Sequence, residues 1–80
     1  MKATIVVEQG VDGHFSCFME EEIPYVSLLG YGDSSQQAID DLLSFYKESK
    51  TELAKEGKTL PEIEFTVKYA AFLRLVFENS

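Results

Sequence analysis

The side chains with any capacity for chemistry are few: Asp12, His14, Cys17, the run Glu20-Glu21-Glu22, and the adjacent Asp40 and Asp41. His14 is the single imidazole, and Asp12, across Gly13, is a carboxylate that could orient it for general acid-base work. Such work also needs a nucleophile or an activated water within reach. Cys17 does not supply one, because three residues further along an extended strand it points to the face opposite His14. It shares its face with Phe15 and Met19 and reads as a small core residue. Metal chemistry draws carboxylates from different elements onto one ion. Glu20, Glu21 and Glu22 are neighbours that diverge, so they read as a solvated turn or protein-binding rim. Asp40 and Asp41 are likewise adjacent rather than four apart, and one Cys with one His cannot assemble a Cys₂His₂ or Cys₄ zinc site. Gly30-Tyr31-Gly32-Asp33-Ser34 leads into a helix start, where backbone amides can hold phosphate. It lacks the spacing and the lysine of the phosphate-binding motifs, and Asp33 already sits at the positive end of the helix dipole. The segment reads as a turn and cap from which Tyr31 protrudes. The expectation is a chain with no cofactor, no metal and no catalytic centre.

Charge points to a kind of partner. The 80 residues carry a net charge of -7, and there is no Lys or Arg between Ala3 and Tyr46, where Glu8, Asp12, Glu20, Glu21, Glu22, Asp33, Asp40 and Asp41 lie. From Lys47 onward acids and bases cancel, so the acidity belongs to the first half. That sign disfavours phosphate backbones and anionic membranes and suits a basic protein. Glu8 interrupts the apolar N-terminal run before a signal-peptide core is established, and no run approaches the roughly 20 apolar residues of a spanning helix. With one Cys and no disulfide framework, a soluble cytoplasmic chain is expected. A domain this small buries only about 60% of its extended surface, so a homodimer or higher oligomer is expected as well.

These residues must be positioned by few elements. Residues 3–9 are rich in β-branched side chains and read as a strand, Gly10 to Gly13 as a turn, and His14 to Met19 as the second arm of a hairpin. A third strand is expected over Tyr25–Leu29, ending in the Gly30-Tyr31-Gly32 turn. Ser34, or Asp33 one position earlier, caps a helix over Ser35–Glu56 that ends at Gly57. Its apolar stripe is Ala38, Leu42, Phe45, Ser49 and Leu53, widened by Ile39 and Tyr46. Glu62–Tyr69 alternates cleanly and reads as a half-buried strand with Ile63, Phe65, Val67 and Tyr69 on one side. The class is α+β: a two-layer β-β-β-α-β domain over residues 1–69, followed by a short apolar helix or strand over 70–80. Phe72, Leu73, Leu75, Val76 and Phe77 of that last segment are the candidates for oligomerisation.

The ordered combination of the Asp12-Gly13 hairpin, the acidic bend before Pro24, the Gly32-Asp33-Ser34 helix entry with Ala38 in the first turns, and Gly57-Lys58 before Leu60-Pro61 resembles the HicB-like antitoxin N-terminal domain over residues 2–69. The resemblance implies a reduced ribonuclease H-like fold without its catalytic carboxylates, and a non-catalytic antitoxin that masks a small basic HicA-type mRNA-cleaving toxin. Contact residues expected for that role are Phe18, Glu20, Glu21, Glu22, Tyr25, Tyr31 and Asp33. Many members add a C-terminal DNA-binding domain. Residues 70–80 are too few for one, so no direct nucleic-acid binding is expected of this chain. The alternatives are a homo-oligomeric structural or regulatory domain of another kind, or a degenerate nuclease or hydrolase built on His14 and Asp12.

Overall fold

The computed structural model describes residues 1–70; the expectations for 70–80, including the oligomerisation residues from Phe72 to Phe77, fall outside them except for Ala70. Four strands and one helix occur in the order β1 (Lys2–Gln9), β2 (Phe15–Met19), β3 (Leu29–Gly32), α1 (Ser35–Lys55) and β4 (Glu64–Tyr69). The sheet is mixed, with strand order β3-β2-β1-β4. β1 and β2 form an antiparallel hairpin in which Val6 faces Phe18, β3 adds antiparallel to β2, and β4 lies parallel to β1. The chain therefore crosses from one edge of the sheet to the other through α1, the type of connection a parallel strand requires.

Both ends of α1 are built from local chemistry. Ser34 is the N-cap: its hydroxyl accepts the Gln37 N–H at 3.1 Å, and the Gln37 side chain returns to accept the Asp33 N–H at 2.9 Å. This is a capping box with its return bond moved out by one residue. At the other end Glu56 is the C-cap and Gly57 takes φ +77°. The Gly57 N–H then bonds the Ala54 carbonyl and the Lys58 N–H the Leu53 carbonyl, a complete Schellman closure.

The core lies between α1 and one face of the sheet. Ala3, Ile5 and Val7 of β1, Cys17 of β2 and Ala38, Ile39, Leu42 and Tyr46 of α1 are buried together, with Leu28 and Leu60 closing the ends. Each large apolar side chain there is worth about 1.5–3 kcal/mol relative to exposure.

Three expectations are corrected. The third strand lies at Leu29–Gly32, not Tyr25–Leu29, so the two glycines are strand residues rather than a turn. The reason is steric: a Cβ on Gly30 would strike the Ala38 carbonyl and come within 2.7 Å of the Leu42 nitrogen, so only glycine lets the helix backbone approach the strand this closely. Phe45 is 44% exposed, because it faces the groove between α1 and the loop carrying Tyr25 and Val26, where no strand lies. β4 begins at Glu64 and is mostly exposed rather than half buried. The helix packs chiefly over β3, β2 and β1, and it reaches β4 where Tyr46 lies edge-on to Phe65 with ring centres 5.3 Å apart.

Candidate functional site

The helix covers one face of the sheet, and on the other the register sets out two rows of side chains. Leu29, Phe18, Val6 and Lys68 follow one another across β3, β2, β1 and β4, and Tyr31, Ser16 and Glu8 form the next row. Leu29 is 46% and Tyr31 64% exposed; Phe18 is half-buried between Leu29 and Val6. Glu20 continues β2 by donating its N–H to the Thr4 carbonyl, and its carboxylate lies 3.9 Å from Lys68 Nζ. Among the described residues this face carries an apolar strip, Leu29, Phe18 and Tyr31, bordered by Glu8 and Glu20. Three of the seven expected contact residues, Phe18, Glu20 and Tyr31, meet there.

The other four are placed elsewhere. Glu21 turns back to accept the Thr4 N–H at 2.6 Å, a bond that closes the end of the β1–β2 ladder. Glu22 is exposed on the loop that follows. Tyr25 sits on the helix side, its ring 5.5 Å from Lys58 Nζ and 66% exposed. It follows Pro24 in a turn closed by the Val26 N–H and the Ile23 carbonyl, and it holds φ +70°, a conformation usually left to glycine or asparagine. Asp33 is at the far end of β3, where its carboxylate lies 2.8 Å from His14 Nδ1.

That last pair engages the His14 ring. Asp12 accepts the backbone N–H of His14, not its ring, and the ring is oriented by Asp33. Both side chains are largely in water, 65% and 80% exposed, where an ion pair is worth at most about 1 kcal/mol. The pair ties the β1–β2 turn to the entrance of α1. Among the described residues no group of three or more His, Cys, Asp or Glu is placed to hold a metal ion. Cys17 is 1% exposed and its thiol donates to the Ala38 carbonyl at 3.0 Å. Burial, with a smaller contribution from the Asp41 charge, pushes its pKa up to about 11, so the thiol stays protonated and unreactive near neutral pH.

A groove of about 480 Å³ runs along α1 and is lined by Asp40, Leu43, Tyr46, Lys47, Lys50 and Phe65. Lys50 is engaged at 2.6 Å by Glu62. That contact raises the Lys50 pKa and lowers the Glu62 pKa.

Sequence reasoning missed Leu29 as a surface residue because it placed the third strand too early. A signal was present: with the cap at Ser34, a strand can run directly to Gly32, and alternation then puts Leu29 and Tyr31 on one side. No helix among the described residues is long and apolar enough to cross a membrane. No family model, curated protein or solved structure matches the chain.

Proposed function

We propose that the domain is a non-catalytic, cytoplasmic protein-binding module of the HicB-like antitoxin type, whose open sheet face covers a small basic mRNA-cleaving toxin. The observation that carries this reading is the strip of Leu29, Phe18 and Tyr31, on the face that no helix among the described residues covers, with Glu8 and Glu20 at its border. Aromatic and aliphatic anchors provide the desolvated contacts of an interface, and surrounding acids speed encounter with a positive partner. The absence of Lys and Arg from Ala3 to Tyr46 keeps that face free of repulsion from within β1, β2 and β3, apart from Lys2 at the start of β1. The element order β-β-β-α-β is compatible with the reduced ribonuclease H-like arrangement of that family.

The test is to titrate the purified chain with a small basic mRNA-cleaving toxin of the HicA type and to follow RNA cleavage by that protein. Binding that suppresses cleavage, weakened tenfold or more in Leu29→Ser and Tyr31→Ala variants of unchanged fold, is the expected result. Failure to bind at low ionic strength rejects the reading.

A further inference from the structure

The geometry points to a second binding surface, the outer edge of β4, whose partner is a second copy of this chain related by a two-fold axis through Thr66. The Glu64 N–H donates to the Met1 carbonyl and the Ala70 N–H to the Val7 carbonyl. Even-numbered residues of β4 therefore spend their backbone groups on β1, and Phe65, Val67 and Tyr69 direct theirs outward. Among the described residues nothing pairs with that edge. It is a six-residue strand without proline, and Val67 is 43% and Tyr69 63% exposed. Such an edge is a template for strand addition. The opposite edge, β3, has only four residues, two of them glycine.

Sequence complementarity selects both the partner and the register. A two-fold axis perpendicular to the sheet keeps helix-side residues opposite helix-side residues, so only antiparallel registers with an even sum of residue numbers are allowed. Centring on Thr66 sets Glu64 opposite Lys68 of the second copy, twice, Thr66 opposite Thr66, and Phe65 opposite Val67. The outward-facing Phe65 and Val67 then form the hydrogen-bonded pairs. Glu64–Lys68 and Thr66–Thr66 occupy the non-hydrogen-bonded positions, where side chains approach most closely. Tyr69 comes opposite Ile63, covering the most exposed ring of the strand. Centring one residue later, on Val67, sets Glu64 opposite Ala70 and Thr66 opposite Lys68 and loses both charge pairs. Centring one residue earlier, on Phe65, sets Glu64 opposite Thr66 and Lys68 opposite Glu62, whose carboxylate Lys50 holds at 2.6 Å, a much closer contact than the 3.9 Å between Lys68 and Glu20. The dimer joins two four-stranded sheets into one continuous sheet with both helices on the same side.

The full chain is tested by sedimentation equilibrium over a concentration series, without any toxin, so the outcome is independent of the toxin-binding reading. A dimer is expected, weakened at least tenfold by Glu64→Lys or by Lys68→Glu and restored to within about threefold in the double variant, where the charges are exchanged. Thr66→Cys in a Cys17→Ala background reads the same register without altering charge: Cα atoms about 4.5 Å apart at a non-hydrogen-bonded pair allow a disulfide, so mild oxidation yields a covalent dimer. A Glu52→Cys control on the exposed side of α1 does not. A chain that stays monomeric at millimolar concentration, or single charge variants that dimerise as wild type does, or a Thr66→Cys chain that cross-links no faster than the control, overturns the proposal.

Discussion

The thiol of Cys17 in β2 donates a hydrogen bond to the carbonyl of Ala38 in the first turns of α1, 3.0 Å away. The strand and the helix are held at this separation because Gly30, beside Cys17 in the register, has no side chain.

Gly30→Ala is expected to be among the most damaging single changes. The added Cβ meets backbone of the helix, which cannot swing aside as a flexible side chain would. The cost should reach or exceed the roughly 1–3 kcal/mol typical of overpacking, measured as a lowered urea midpoint with little change in slope.

Cys17 gives an alkaline signature. Its folded pKa of about 11 lies above the ordinary thiol value of 9.0, so between those two the folded chain binds the extra proton. Stability from this group is full below about pH 9 and is lost as pH rises towards 11. Cys17→Ala should flatten that part of the stability curve relative to wild type. Alkylation of Cys17 should proceed only as fast as the sheet and helix separate; rapid labelling of the native chain at neutral pH would contradict the buried hydrogen bond.

Tyr25 separates ring chemistry from backbone chemistry. At φ +70° it bears the cost of a left-handed residue with a side chain, about 1–2 kcal/mol. Tyr25→Gly removes that cost but adds about 0.5–1 kcal/mol of unfolded-state entropy and loses a cation–π contact of about 0.5–1 kcal/mol. These nearly cancel, and the variant should match wild type. Tyr25→Ala keeps the strained backbone without the ring contact and should be less stable than Tyr25→Gly by about 1 kcal/mol. Equal stabilities of the two variants in urea would show that the turn is not held at positive φ.

Tyr46 fastens the connection between α1 and β4. Its hydroxyl donates to the Pro61 carbonyl at 2.9 Å, so Tyr46→Phe should cost about 1 kcal/mol. Amide exchange should quicken across residues 58–63 more than in β2.

The neighbouring Lys50–Glu62 pair has an acid-side signature. The Glu62 pKa is lowered, chiefly by its hydrogen bond to Lys50, so the contribution of the pair is present above the ordinary glutamate range and disappears as pH falls through the lowered value. The stability difference between wild type and Lys50→Met should shrink on acidification to what the Lys50 contact with the Tyr46 ring, 5.8 Å from its centre, contributes. A difference of the same size at neutral pH and in strong acid would show that the pairing with Glu62 contributes nothing.

Local chemistry was legible in the sequence, and register was not. The Ser34 cap, the Gly57 terminus, the β1–β2 hairpin and the alternation of β4 are each written within a few residues. Which face of β4 the helix covers, and how far, depends on α1 lying over β3, so the exposure of Val67 and Tyr69 could not be read from their alternation. The displacement of the third strand follows from the same contact, since glycines that look like a turn in isolation are required by a helix that packs on them. Asp33 was legible as a contact or cap residue, but its pairing with His14, 19 positions away, requires β2 and β3 to be adjacent. The apolar strip on the open face needs two registers at once.

The central position of β1 also sets an order of assembly. β1 and β2 can close over a short turn as soon as both are synthesised, but the other side of β1 waits for β4, with Thr4 meeting Thr66 across 62 positions. Through that interval a strand containing Ile5, Val6 and Val7 has one row of backbone groups unmatched, so the slow step of folding, and the window in which a nascent chain is vulnerable to wrong pairing, should be the docking of β4.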